Sequence, residues 1–101
     1  MMINDPENVL ANIIKDVLEE LERAINFHPE WPDDPYRAVA ILGEEYGELV
    51  QAILKTTYEY PKSTRDDVRK EAVQTAAMAI RFLMSYSGYF YDEGDMHDQL
   101  A

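Results

Sequence analysis

Apolar residues recur along this chain at steps of three and four, and no stretch alternates with the two-residue period of a half-buried strand. Val9, Leu10, Ile13, Ile14, Val17, Leu18, Leu21 and Ile25 form the first stripe; Lys15, Asp16, Glu19, Glu20, Glu22 and Arg23 occupy the other face. Asp5 stands where an N-cap is wanted, and Pro6 sits in the first turn, where a missing N–H is tolerated. A helix is therefore predicted from Asp5 to about Phe27. The run His28-Pro29-Glu30-Trp31-Pro32-Asp33-Asp34 that follows is too rich in proline to continue it.

Asp34 and Pro35 repeat the cap-and-proline start, and Val39, Leu42, Tyr46, Leu49, Val50 and Ile53 supply the expected core face of a second helix. It should fade near Tyr58 to Tyr60, where Pro61 stops it. Ser63 or Thr64 caps a third helix, with Asp66 and Asp67 near the positive end of its dipole. Val68, Ala72, Val73, Ala76, Ala77, Ile80 and Leu83 form its apolar face. That arc covers about half the circumference, wider than one partner helix needs, which predicts a second packing surface and a homodimer or homotetramer. Gly88 should end the third helix, while Tyr89-Phe90-Tyr91 either packs back or begins a short fourth element. Residues 92–101 read as an acidic tail. The expectation is one all-α domain over residues 1–101: an antiparallel bundle of three long helices with room for a short fourth, completed by oligomerisation.

Composition narrows the function classes. The chain has 101 residues and a formal charge of −11, from 20 acidic and 9 basic side chains. Such a balance argues against nonspecific nucleic-acid binding, which needs Lys and Arg to displace phosphate counterions, and against docking on anionic membranes. With no cysteine, disulfides, Cys-ligated zinc and thiol catalysis are excluded. The stretch Ala72 to Tyr91 carries Arg81 as its only charge, but Gln74, Thr75, Ser85, Ser87 and Gly88 make a buried helix the better reading than a spanning one. No signal peptide is visible at the N-terminus, and the expected location is cytoplasmic.

Most catalytic constellations lack their parts. There is no Gly-rich phosphate loop, and the two histidines read as loop packing (His28) and solvated tail (His97). The second helix is different. Glu44-Glu45-Tyr46-Gly47-Glu48 sets three carboxylates within about 100° of one face, where they repel one another unless a cation intervenes. Gly47 leaves room beside them, and Lys55 lies two turns on along the same face. On the third helix Glu71 and Gln74 fall on the polar arc. If these two helices pack antiparallel, Glu45 and Glu48 face Glu71 and Gln74 across a groove. Hard oxygen ligands so placed suit Mg²⁺, whose remaining octahedral positions go to water and substrate phosphates. A solvated acidic face is the alternative.

The arrangement of these residues resembles the MazG-like, all-α nucleoside triphosphate pyrophosphohydrolases, whose signature is Glu-Glu-x-x-Glu on one helix and Glu-x-x-Asp on the next. The first half here is Glu44-Glu45-Tyr46-Gly47-Glu48; the second is Glu71-Ala72-Val73-Gln74. Trp31 and Lys55 also look like family features, and the resemblance spans about Phe27 to Leu83. It implies Mg²⁺ or Mn²⁺ held by Glu45, Glu48 and Glu71 with Gln74 alongside, a water oriented or deprotonated by Glu44 or Glu48, and a nucleoside triphosphate contacted by Lys55 and Trp31. Gln74 departs from the pattern: its amide offers a carbonyl oxygen but neither charge nor basicity. A basic, Asn-containing C-terminal segment, which helps hold phosphates in some relatives, has no counterpart. The resemblance is thus compatible with two expectations, an active pyrophosphohydrolase and a catalytically weak or inactive relative that acts in binding or regulation.

Overall fold

The structure, a computed structural model, describes residues 2–90. It is all-helical: α1 (Pro6–Phe27), α2 (Pro35–Tyr58) and α3 (Arg65–Met84) are followed by a 3₁₀ turn, Tyr86–Gly88. Among the described residues there is no strand and no helix long and apolar enough to cross a membrane. The expected acidic tail and His97 lie outside the described residues.

The helix starts follow the local chemistry, with one exception. Asp34 accepts a hydrogen bond from the Tyr36 N–H, and Pro35 opens α2. Of the two candidate caps for α3 it is Thr64 that serves, in a reciprocal capping box with Asp67; Ser63 is instead buried, donating to the Ala52 carbonyl. Asp5 precedes α1 in a left-handed conformation (φ 52°), and its side chain makes no capping bond. Its carbonyl receives the N–H groups of Asn8 and Val9 instead.

The central helix is α3, which packs against both α1 and α2, while α1 and α2 do not approach each other closely. Asp16 pairs with Arg69 at 2.8 Å, and Arg81 reaches the Ala24 carbonyl, so α1 and α3 run in parallel. The Thr56–Ser63 hydroxyl bond and the shared surroundings of Ile41 and Met78 set α2 antiparallel to both. Val17, Leu21, Ala77 and Met78 form the core, with Trp31, Leu42, Val73 and Ile80 packed around it.

Two expectations about packing are corrected. α2 turns Ala38, Leu42, Glu45, Leu49 and Ala52 toward α3, whereas Val39, Tyr46, Val50 and Ile53 are exposed. Much of the α1 stripe is also uncovered, including Leu10, Ile14 and Leu18, because one neighbouring helix can cover only part of so broad an arc. At the C-terminal end, α3 stops at Met84 and Gly88 closes the 3₁₀ turn; no fourth α-helix follows among the described residues. Tyr89 does pack back, buried against the Phe82 ring, and the Phe90 N–H donates to the Asp33 carbonyl.

Candidate metal centre and groove

Because α1 and α2 stand apart on either side of α3, a groove opens between them with α3 as its floor. Its cavity of about 460 Å³ is bounded by Glu20 and Phe27 of α1, Trp31 of the loop, Glu45 of α2, and Gln74 and Arg81 of α3. A volume of that order accommodates a small organic ligand.

At the edge of the groove Glu45, Glu48 and Glu71 converge, each offering one oxygen within 4.8 Å of the others. Glu45 and Glu48 are three residues apart on α2, and Glu71 comes from the antiparallel α3. The Oε2 atoms of Glu45 and Glu71 are buried, and among the described residues no hydrogen-bond donor reaches them. Burial, followed by the charges of Glu48 and Glu71 and more weakly of Glu20 and Glu44, pushes the Glu45 carboxyl above the usual carboxylate range. Glu71 is raised too, by burial first and then by Glu48, with Lys70 partly offsetting the effect. Carboxylate oxygens that face one another so closely are a set that could hold a metal ion.

The other candidate residues fall in graded positions. Gln74 lines the groove beside Glu45 and contributes no carboxylate to the triad. Glu44 is exposed and lines a separate shallow hollow with Arg37 and Trp31, outside the triad. Lys55 is exposed on the same flank of α2 as Glu48, about 10 Å further along the axis at 1.5 Å per residue. Trp31 is half-buried in the groove wall, its Nε1 donating to the Tyr89 hydroxyl at 2.8 Å, which in turn donates to the Phe82 carbonyl.

Two features escaped the reading of the sequence. Arg81 is buried; its guanidinium donates to the carbonyls of Ala24, His28 and Glu30 and stacks on Trp31, 4.9 Å from the ring centroid. It thereby anchors the interhelical loop and the indole. Burial without a carboxylate partner lowers the pKa of this guanidinium. The signal for it was present, since Arg81 is the one charge in the stretch Ala72 to Tyr91. The second feature is the pair Glu20 and Arg23, which borders the groove; the hydrogen bond and charge of Arg23 hold Glu20 below the usual range.

No protein-family model, no curated protein and no solved structure matches this chain.

Proposed function

We propose that this protein is a Mg²⁺-dependent nucleoside triphosphate pyrophosphohydrolase that releases a nucleoside monophosphate and pyrophosphate. The observation that carries this reading is the convergence of Glu45, Glu48 and Glu71 from two helices at the edge of a groove of about 460 Å³. The motif resemblance supplies the reaction class. Glu45, Glu48 and Glu71 hold the cation. When bound, Mg²⁺ supplies charge neutralisation for the phosphates and for the leaving pyrophosphate. Glu48, the exposed member of the triad, or Glu44 beside it, orients the water and accepts its proton as one P–O bond of the α–β bridge breaks. Lys55 meets the phosphates from the solvent side. Since the Trp31 N–H is already engaged by Tyr89, its indole offers a nucleobase ring surface and no hydrogen bond.

One observation favours a second reading, a catalytically weak or inactive helical protein that binds a metal or nucleotide for regulation. Gln74, where the resembled motif has aspartate, brings no negative charge to the groove. A pyrophosphatase-coupled phosphate-release assay over a panel of nucleoside triphosphates, with Mg²⁺ or Mn²⁺, separates the two. Metal-dependent turnover that disappears in Glu48→Ala supports the enzyme. An inactive wild type with an active Gln74→Asp variant supports the second reading. A flat response from both, together with no metal binding by calorimetry, refutes the two alike.

A further inference from the structure

The groove runs from the carboxylates of the triad to the guanidinium of Arg81. Along α3 its floor passes from Gln74, beside Glu45, through Met78 to Arg81. Glu71 and Arg81 are ten residues apart, about 15 Å at 1.5 Å per residue. The end away from the triad is lined by Arg81, by His28, Glu30 and Trp31 of the loop, and by Phe27. Of the charged residues around the groove Arg81 is the one that is buried, at 6% exposure, whereas His28 and Glu30 are exposed.

We infer, on the nucleotide reading of this site, that Arg81 selects bases carrying a carbonyl opposite the glycosidic bond, at C4 of a pyrimidine or C6 of a purine, over bases carrying an amino group there. Phosphates held at the triad put the sugar on that side, so the opposite edge of the base leads along the floor toward Arg81. A guanidinium has donors and no acceptor. Nη1 and Nη2 donate to the carbonyls of Ala24, His28 and Glu30, the bonds to Ala24 and Glu30 being long at 3.4 Å. Among the described residues nothing accepts from Nε, and no carboxylate pairs with the charge. An added acceptor is therefore favourable at this end, and an added donor is not. O4 of uracil or thymine and O6 of guanine are acceptors; the amino groups of cytosine and adenine at the same positions are donors. Setting an amino group against a buried guanidinium leaves hydrogens of both without a partner, and that cost separates the two classes. His28 and Glu30 are open to water, which serves them whichever base is present. Phe27 and Met78 offer apolar contact to the rings of both classes alike.

Trp31 is the single tryptophan of the chain and lies in the groove wall, so its fluorescence reads occupancy without any turnover. In millimolar Mg²⁺, uridine monophosphate should bind about tenfold more tightly than cytidine monophosphate, and guanosine monophosphate about tenfold more tightly than adenosine monophosphate. The pyrimidin-2-one nucleotide, which carries hydrogen at C4, should bind about as weakly as cytidine monophosphate. That comparison changes the ligand and needs no variant to fold. Arg81→Gln, with helicity checked by circular dichroism, should bring both ratios within about twofold, because an amide accepts from an amino group as readily as it donates to a carbonyl. Equal affinities within the two pairs overturn the inference. So does a preference that survives in folded Arg81→Gln, and so does the absence of binding by all four monophosphates. The phosphate-release assay is scored separately: a carbonyl preference in binding without turnover supports the role of Arg81 and refutes the hydrolase, while turnover with equal binding of all four bases does the reverse.

Discussion

Glu45→Gln removes charge from the most burdened member of the triad while keeping its shape. Two unit charges 4.8 Å apart repel by about 0.9 kcal/mol at the dielectric constant of water and by about 3.5 kcal/mol at an effective value of 20. Glu48 is exposed and the groove is open, so the lower figure is the better guide: about 1 kcal/mol for each of the two repulsions Glu45 makes, with Glu48 and with Glu71. Without divalent cation the variant should therefore be more stable than wild type by about 1–2 kcal/mol, which raises the melting midpoint of a domain this size by on the order of 5–10 °C. With Mg²⁺ the order should reverse in response: wild type gains about 1.4 kcal/mol when the cation is tenfold above its dissociation constant, and the variant gains little. Thermal unfolding by circular dichroism at fixed protein concentration, in EDTA and in millimolar Mg²⁺, reads both effects.

The same groups set a pH dependence. Glu45 and Glu71 have folded-state values raised above the unfolded ~4.3, so the penalty they impose is absent below that value and grows as pH rises through the folded values. The metal-free wild type should gain stability as pH falls through the folded values toward the unfolded ~4.3, and Glu45→Gln should gain less. Glu20 works in the opposite sense: held down by Arg23, it stabilises the fold above its unfolded pKa, and that contribution is lost only on further acidification. A variant no more stable than wild type in EDTA, or one that keeps the full Mg²⁺ shift, would refute the electrostatic account of the triad.

Three further substitutions test the frame around the site. Arg81→Met should cost about 2–3 kcal/mol, because the carbonyls of His28 and Glu30 lose the guanidinium donor and that of Ala24 keeps only the His28 N–H, and should red-shift Trp31 fluorescence as the loop loosens. Thr64→Ala removes the capping box of α3 and should cost about 1 kcal/mol in chemical denaturation, with no effect on Mg²⁺ response. Ala77→Leu places three extra heavy atoms at a fully buried position in the core and should lower stability by about 1–3 kcal/mol.

The three helices and most of their limits were legible because their signals are local; the end of α3 at Met84, ahead of Gly88, was not. Asp34-Pro35, Thr64 with Asp67, and the proline-rich run after Phe27 act through neighbouring backbone, and the elements begin and end accordingly. The triad was legible because three- and four-residue spacing on α2 fixes which carboxylates share a flank, and an antiparallel α3 brings Glu71 opposite. Arg81 was not, since its partners are backbone carbonyls 51 to 57 residues away, and a carbonyl leaves no mark in a sequence. Glu44 was grouped with Glu45 and Glu48 because all three fall within about 100° of one helix face; in the structure it lines a different hollow, with Arg37 and Trp31.

The choice of core face on α2 is the instructive case. The flank bearing Val39, Tyr46, Val50 and Ile53 is the more hydrophobic, and burial of apolar area alone would turn it inward. In the structure the helix instead presents Ala38, Leu42, Glu45, Leu49 and Ala52 to α3, with Glu45 set opposite Glu71. Two like charges half-buried across a helix interface weaken the fold, and an apolar flank left in water forgoes stabilisation as well. The cost at Glu45 is explained if α2 and α3 together hold a metal ion between Glu45, Glu48 and Glu71. A conflict between local pattern and packing of this kind marks a functional element, since a helix with structural duties alone would bury its apolar flank and leave Glu45 in solvent.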